Sequence, residues 1–288
     1  MKIGFIGLGI MGESMSENIV KKHNDEVYVF DFVQAKIDQL AALGAKPASS
    51  SLELAQNVDI IISMVPKSEH SKAVYESILP ALNESKTCID MSTIEPSASV
   101  EISKMVKATG AKFIDAPVVK SKPAAIAGKL GIYVGGDEET YEAMKPILLY
   151  MGENVVRMGD NGAGLVMKIC HNALVAQIQN GVNETMCVAK KFGIGPVEFA
   201  TAISYGGGQC FYMDTKSQAI ADENWTTAFS VENEYKDVNI FKALADECGQ
   251  KIPGGENVCN VYAKAMEAGY GKEDFCATFK VVRDYSLI

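Results

Sequence analysis

The chain has 288 residues, 48% of them apolar and 22% charged, which is enough for about two globular domains with sizeable cores. Its net charge of −9 argues against a nucleic-acid partner, because binding a polyanion requires a basic surface. Seven cysteines without a Cys-x-x-Cys pair predict reduced thiols, and the lack of a leader-like start or a long apolar run predicts a cytoplasmic protein without a membrane span.

The first half of the chain alternates short apolar runs with segments of helical periodicity. Continuous apolar runs predict buried strands at residues 2–6, 27–30, 59–65, 87–91, 112–114 and 130–134. Helical spacing predicts helices at about 13–22, 33–43, 69–81, 96–109 and 138–150. Strands that alternate with helices in this way indicate a mostly parallel, doubly wound sheet that is covered on both faces.

The pattern changes after residue 162, where the apolar strand runs end. Residues 164–191 contain no proline and predict one helix, about 40 Å long at the usual rise per residue. Shorter helices, and no strand, are expected at about 195–204, 230–248, 255–268 and 273–284. The sequence therefore predicts an α/β domain at 1–162 and an all-helical domain at 163–288, joined by the long helix.

A glycine-rich turn follows the first predicted strand. It comprises Gly7, Leu8, Gly9, Ile10, Met11 and Gly12. Between a strand and a helix, this GxGxxG spacing predicts a Rossmann dinucleotide site, because the glycines permit a tight turn, approach of a pyrophosphate and close helix packing. Asp31 ends the second strand about 20 residues later, where a carboxylate accepts a hydrogen bond from a ribose 2′-hydroxyl and repels a 2′-phosphate. NAD is therefore expected rather than NADP, with a flavin as the weaker alternative.

Two polar side chains near the start of the long helix are candidates for chemistry. Lys168 and Asn172 are four residues apart, so they share one helix face. The helix dipole disfavours a cation in the first turns, and a lysine placed there indicates a chemical use, although a solvated surface lysine is the alternative. His171 is a second candidate base, and no group of side chains has the spacing of a metal site.

Five motifs occur in a fixed order along the chain. They are Gly4-Phe-Ile-Gly-Leu-Gly-Ile-Met-Gly12, Asp90-Met-Ser-Thr93, Asp115-Ala-Pro-Val118, Gly162-x-Gly-x-x-x-Lys168-x-x-x-Asn172 and Lys236-Asp237. With them the whole chain resembles the β-hydroxyacid dehydrogenase family, which includes the 3-hydroxyisobutyrate dehydrogenases. The resemblance implies a Rossmann domain followed by an all-helical domain, NAD-dependent hydride transfer to or from a small acid, and a homodimer or homotetramer. A catalytically silent scaffold is the alternative of another class, and the presence of Lys168 argues against it.

The resemblance also implies a role for each matching residue. Lys168 is the expected general acid and base, which protonates the carbonyl oxygen during reduction or accepts the hydroxyl proton during oxidation. Asn172 is expected to orient the substrate. The residues expected to contact the cofactor, beyond the glycine loop and Asp31, are Met64, Val65, Pro66, Thr93 and Lys236.

The segment after Val118 departs from the family pattern. Where the family continues Ser-Gly-Gly, groups that typically hold the substrate carboxylate, this chain has Val119, Lys120 and Ser121. Lys120 and Ser121 are expected to bind the substrate acid, and a cation followed by a hydroxyl suits a sulfonate. The 3-sulfolactaldehyde reductases are similar at this place, which favours reduction of 3-sulfolactaldehyde to 2,3-dihydroxypropane-1-sulfonate. Carboxylate semialdehydes, such as succinic or tartronate semialdehyde or the 3-hydroxyisobutyrate pair, are the alternative substrates.

Overall fold

The computed structural model describes residues 1–284 of the chain. The chain divides into two compact units, Met1–Lys168 and a second unit that begins at Ile169. The division falls inside one long helix, which contributes its first turns to the first unit and its remainder to the second.

The first unit is built on a nine-stranded sheet. Its strands are β1 (Ile3–Ile6), β2 (Val27–Phe30), β3 (Lys46–Pro47), β4 (Ile60–Ser63), β5 (Thr87–Asp90), β6 (Lys112–Asp115), β7 (Val118–Val119), β8 (Leu130–Gly135) and β9 (Gly152–Gly159). Its helices are α1 (Gly12–Lys22), α2 (Gln34–Ala41), α3 (Ser51–Asn57), α4 (Ser68–Ile78), α5 (Pro96–Lys107), α6 (Lys122–Ile126) and α7 (Glu138–Leu148).

The strand order is β3-β2-β1-β4-β5-β6-β8-β7, with β9 also paired to β8. Strands β1 to β6 run parallel, whereas β8 is antiparallel to β6 and β7. The chain moves outward from β1 to one side and then restarts at β4 on the other, so the loops that follow β1 and β4 flank a crevice. In sheets of this order, that crevice is where dinucleotides bind. The Rossmann sheet predicted from the sequence is confirmed, as a mixed sheet.

The central strands are buried along their whole length because the sheet is covered on both faces. Every residue of β1, β4 and β5 is buried. Continuous burial, rather than alternation, is what a parallel sheet between two helix layers requires. Side chains from the helices, among them Met15, Leu40 and Ile102, complete this core.

Within residues 169–284, helices are the only regular secondary structure of the second unit, apart from one bridge between Ser230 and Asp274. The long helix α8 (Ala163–Lys191) confirms the predicted helix at 164–191. The helices that follow are α9 (Pro196–Ile203), α10 (Phe211–Ala221), α11 (Val231–Cys248), α12 (Pro253–Glu267) and α13 (Thr278–Arg283). No helix in the described part of the chain is long and apolar enough to span a membrane.

Six elements were not apparent in the sequence pattern: β3, β7, β9, α3, α6 and α10. Strand β9 is polar and largely exposed, with Glu153, Asn154 and Arg157 along it, so it lacks the apolar run of a buried strand. Helix α6 has only five residues, and β3 and β7 have two each, which is too short to show a period. Tertiary contacts rather than local propensity define these elements.

Candidate active site

The glycine loop lies between β1 and α1, at the reversal point of the strand order. Gly7 has a φ of +94°, and a side chain there would overlap the carbonyl oxygen of Met64. A side chain at Gly12 would overlap the carbonyl oxygen of Gly7, whereas one at Gly9 would meet no atom within 4 Å. The loop is therefore closed on the protein side and open at Gly9. This arrangement fits a dinucleotide whose pyrophosphate lies against the backbone at the start of α1.

Asp31 directly follows β2 and faces this loop. Its carboxylate accepts a hydrogen bond of 2.6 Å from the backbone N–H of Leu8 and one of 2.9 Å from that of Val33. Lys36 forms an ion pair with Glu13 of α1. A carboxylate therefore stands at the end of β2, and the nearest lysine in sequence is neutralised by another carboxylate.

The turn after β4 carries Met64, Val65 and Pro66 and forms the second wall of the crevice. The backbone N–H of Met64 donates to Ile6 of β1 at 2.9 Å. The N–H of Val65 donates to the Ser92 hydroxyl at 2.9 Å, which ties the turn to the segment after β5. Thr93 is the next residue along that segment and is half-buried. The predicted cofactor residues of the first unit thus lie at the carboxyl ends of neighbouring parallel strands.

A buried carboxylate, to which no role was assigned from the sequence, forms hydrogen bonds with residues next to these turns. Asp90, at the end of β5, accepts hydrogen bonds from the hydroxyls of Ser63 and Ser71 and from the backbone N–H of Ser92. Burial raises the pKa of Asp90, against the hydrogen bonds from Ser71 and Ser92 that lower it. The signal in the sequence is an aspartate that ends an apolar strand run, and its partners only become visible in the fold.

A second buried carboxylate meets the start of α8. Asp115 ends β6 and is fully buried. Its Oδ1 accepts a hydrogen bond of 2.6 Å from the N–H of Gly162, and its Oδ2 accepts one of 3.1 Å from the N–H of Leu165. Burial raises the pKa of Asp115 to about 6, while these two N–H groups act in the opposite direction. Asp115, at the end of strand β6, therefore caps the N-terminus of helix α8.

Lys168 lies one turn beyond Leu165 on α8, and only 8% of its surface is exposed. Asn172, four residues further along the helix, is 6% exposed. The alternative of a solvated surface lysine is therefore wrong. His171, on the same helix, is half-buried.

Within the second unit, Asn172 is held by the predicted Lys-Asp motif of α11. Its side-chain nitrogen donates to Oδ2 of Asp237 at 2.6 Å. Oδ1 of the same carboxylate forms an ion pair of 3.1 Å with Nζ of Lys236. Asp237 is buried, with 1% of its surface exposed. One carboxylate thus joins two residues predicted to bind substrate or cofactor, a link that the sequence analysis did not make.

Lys120 has its own partners in the first unit. Its Nζ lies 2.6 Å from Oε1 of Glu153 on β9 and donates to the carbonyl oxygen of Lys129 at 2.9 Å. Lys120 has a φ of +77°, a left-handed conformation that favours glycine. Ser121 is half-buried and precedes α6. In this conformation the ammonium of Lys120 is occupied by a carboxylate of the protein.

Both halves of the chain match known family models. Residues 2–159 match the model described as the NAD binding domain of 6-phosphogluconate dehydrogenase. Residues 162–282 match the model described as NAD-binding of NADP-dependent 3-hydroxyisobutyrate dehydrogenase.

Individual relatives align over nearly the whole chain. The mitochondrial 3-hydroxyisobutyrate dehydrogenase of Drosophila melanogaster is 32% identical over 98% of this chain and 89% of its own length. The NAD-dependent L-serine dehydrogenase of Pseudomonas aeruginosa is 30% identical over 97% of both chains. A solved structure of Mycobacterium tuberculosis 3-hydroxyisobutyrate dehydrogenase with L-serine has a TM-score of 0.90 and 28% identity, covering 98% of this chain and 99% of that one. The chain belongs to the 3-hydroxyisobutyrate dehydrogenase family of β-hydroxyacid dehydrogenases, which are NAD(P)-dependent oxidoreductases acting on CH–OH groups.

Proposed function

We propose that this chain is an NAD-dependent dehydrogenase that oxidises the primary hydroxyl of a short 3-hydroxy acid to the aldehyde and catalyses the reverse reduction. The observation that carries the proposal is the pairing of Lys168 and Asn172, two buried polar residues one turn apart on α8. A buried lysine costs free energy unless a partner or a reaction uses it. A proton-transfer role at a CH–OH carbon gives that lysine a use.

The proton moves at Nζ of Lys168. In oxidation the neutral amine accepts the hydroxyl proton, and in reduction the ammonium donates a proton to the carbonyl oxygen. When NAD is bound, its nicotinamide supplies the hydride acceptor, or the hydride donor in the reverse direction. Oxidation therefore requires neutral Lys168 and speeds up as the pH rises, whereas reduction requires the ammonium.

Asn172 orients the substrate through the oxygen of its amide. Its nitrogen donates to Asp237 at 2.6 Å, so the end of the amide turned away from Asp237 is a hydrogen-bond acceptor. The matching group on a ligand is a second hydrogen-bond donor, such as the amino group of L-serine, because the hydroxyl that is oxidised gives its one proton to Lys168. Lys236, paired with the same carboxylate, is proposed to lie at the nicotinamide end of the cofactor.

The preference for NAD over NADP rests on charge at the end of β2. Asp31 presents a carboxylate where a 2′-phosphate would carry its negative charge. Lys36, which could offset that repulsion, forms its ion pair with Glu13.

The proposed substrates share a carbon skeleton. Two relatives of this chain are named for 3-hydroxyisobutyrate and L-serine. Both compounds carry a primary hydroxyl on the carbon next to the one that bears the carboxylate, and they differ in a single substituent. We therefore propose 3-hydroxypropionates with a small substituent at carbon 2 as the substrate class, with a carboxylate as the acid.

A sulfonate is the second candidate because the Lys120-Ser121 pair departs from the family pattern. To bind a sulfonate without a second anion beside it, the ammonium of Lys120 would have to exchange Glu153 for the ligand. That exchange replaces one anion by another, so its net gain in free energy is small. A carboxylate is therefore the first candidate for the acid group of the substrate.

The test compares NAD⁺ reduction with 3-hydroxyisobutyrate, L-serine, 4-hydroxybutyrate and 2,3-dihydroxypropane-1-sulfonate. We expect kcat/KM for one of the first two to exceed that for the sulfonate by about tenfold or more. A sulfonate preference of about a hundredfold, or about 2.7 kcal/mol, would instead assign Lys120 and Ser121 to a sulfonate site. Lys168→Ala should abolish turnover while NADH still binds, and Lys190→Ala, an exposed lysine on the same helix, serves as its control. Turnover by Lys168→Ala at the wild-type rate would overturn the mechanism.

A further inference from the structure

Helix α8 begins without an N-cap side chain of its own. The residue before its first turn is Gly162, whose φ of +96° favours glycine over the usual serine, threonine or aspartate cap. The N–H groups of Gly162 and Leu165 are instead bonded by Asp115, which lies 47 residues before Gly162 in the chain. The cap is thus supplied by the end of strand β6.

A cap from a distant strand fixes the helix start to the sheet, which a local cap does not do. A serine at the helix start would accept a hydrogen bond from the N–H of Leu165, but not from its own N–H, and it would move with the helix. Asp115 belongs to the sheet, so its two hydrogen bonds fix the first turn of α8 to the carboxyl end of β6. Lys168 is on the next turn, within the same unit. We propose that Asp115 is the positioning residue for Lys168, an inference that rests on the proposed function.

Two glycines next to Asp115 leave the space that its carboxylate occupies. An added Cβ at Gly164 would lie 2.8 Å from Oδ2 of Asp115 and 2.6 Å from the carbonyl oxygen of Tyr133. An added Cβ at Gly135, on β8, would overlap both carboxylate oxygens. Glycine at both positions is therefore a steric requirement of the cap, since any other side chain would displace the carboxylate from the helix start.

A second contact keeps the helix start attached when the cap is weakened. The side-chain nitrogen of Asn161 donates to the carbonyl oxygens of Phe113 at 3.0 Å and Gly135 at 3.2 Å. Losing Asp115 should therefore loosen the first turn of α8 without detaching it. A small displacement of a catalytic group is enough to lower a rate by about a hundredfold.

The test is Asp115→Asn, with Asp137→Asn as its matched control. Asparagine fills the same space but has one acceptor and one donor, so its NH₂ group would oppose one of the two helix N–H groups. Asp137 caps α7 in the same unit, accepting from the N–H of Thr140 at 2.8 Å, and α7 carries no proposed site residue. Both variants lose a helix cap, but only Asp115→Asn loses the cap of the helix that carries Lys168.

We expect kcat of Asp115→Asn to fall by about tenfold or more, with the dissociation constant of NADH unchanged and kcat of Asp137→Asn at the wild-type level. The solvent deuterium isotope effect on kcat should rise in Asp115→Asn alone, because a displaced Lys168 makes proton transfer slower than the other steps. If kcat of Asp115→Asn matches wild type, or falls with no change in the isotope effect, Asp115 does not position Lys168.

Gly135→Ala repeats the test with the carboxylate present, and it serves if Asp115→Asn does not fold. The atoms nearest to the added methyl all belong to the carboxyl group of Asp115, so the methyl pushes that group away from the helix start, and the same loss of kcat and the same rise in isotope effect are expected. Lys168→Ala distinguishes a failure of the proposed function from a failure of the role of Asp115. If Lys168→Ala keeps its turnover, the proposed function fails. If Lys168→Ala is inactive and both cap variants turn over normally, only the role of Asp115 fails.

Discussion

The β1-α1-β2 segment and the far edge of the sheet are each stabilised by side-chain contacts, but these contacts span different numbers of residues along the chain. In the β1-α1-β2 segment, residues 3–31, the N–H of Leu8 in the glycine loop donates to Asp31, 23 residues away. At the far edge, residues 112–159, Lys120 pairs with Glu153, 33 residues away, and Asp115 reaches 47 residues to Gly162. The β1-α1-β2 segment is proposed to bind the cofactor through the shape of its backbone, whereas the contacts of the far edge join side chains to partners much later in the chain.

This difference decides what a mutation does in each region. In the β1-α1-β2 segment, backbone overlap sets the outcome, so a single methyl group is enough to close the site. At the far edge, charge and hydrogen bonding set the outcome, so isosteric substitutions that change only the number of acceptors are the informative ones.

The largest effect is expected for Gly12→Ala in the β1-α1-β2 segment. The added Cβ would overlap the carbonyl oxygen of Gly7, so the loop must move away from α1. We expect the dissociation constant of NADH, measured by fluorescence, to rise by about a hundredfold or more. Gly9→Ala is the matched control, because its Cβ meets nothing within 4 Å in the protein. It should keep the wild-type melting temperature and still bind NADH more weakly, and normal NADH binding by Gly9→Ala would remove the pyrophosphate from this loop.

The next effect concerns stability against pH at the far edge. The pKa of Asp115 is raised by burial from 3.8 to about 6 in the folded state, so between these values the folded protein keeps a proton that the unfolded chain has released. The free energy of unfolding contributed by Asp115 therefore falls as the pH rises from about 4 to about 6, by about 3 kcal/mol, and is level above that. Asp115→Asn should lack this decline. Urea unfolding of both proteins across this range measures it, and parallel curves would contradict it.

Asp137→Asn gives a control of opposite sign. Partial burial, which would raise the pKa of Asp137, is outweighed by hydrogen bonds from Thr140, so this pKa is lowered. The stability that Asp137 contributes is present above its unfolded value and is lost as the pH falls through its folded value. The stability difference between wild type and Asp137→Asn should therefore grow as the pH rises, whereas the difference for Asp115→Asn should shrink.

The same contrast in contact distance sets how much of the site could be predicted from the sequence. The glycine loop and Asp31 follow from adjacent residues, and α8 from its period. Lys168 needed the family resemblance as well, because helical spacing alone left open a surface lysine. The contact between Asn172 and Asp237 spans 65 residues, so no local pattern contains it. The cap from Asp115 was hidden for the same reason, although a glycine at the helix start was a sign that the cap came from elsewhere.

A smaller effect is expected for Asp31→Asn. The amide keeps the shape of the carboxylate and removes the charge that repels a 2′-phosphate. Its NH₂ group also opposes the N–H of Leu8 or of Val33, but that loss affects NAD⁺ and NADP⁺ alike, so the ratio reports the charge. We expect the ratio of kcat/KM for NAD⁺ to that for NADP⁺ to fall by about tenfold, or about 1.4 kcal/mol. Asp38→Asn removes the same charge from an exposed position on α2 and should leave the ratio unchanged. A ratio that is the same in both variants would show that Asp31 does not set the cofactor preference.

The smallest effect is expected at Lys120, where two variants separate backbone from charge. Lys120→Ala and Lys120→Gly both lose the half-exposed ion pair with Glu153, which contributes less than about 1 kcal/mol. Only glycine relieves the left-handed φ of +77°, so Lys120→Gly should be the more stable of the two by about 1 kcal/mol. Because Glu153 occupies the ammonium, we expect KM for a carboxylate substrate to stay within about twofold of wild type in both variants. An equal, tenfold rise of KM in both, together with a lower KM in Glu153→Gln, would instead mean that Lys120 leaves Glu153 to bind the substrate acid, as the sequence predicts.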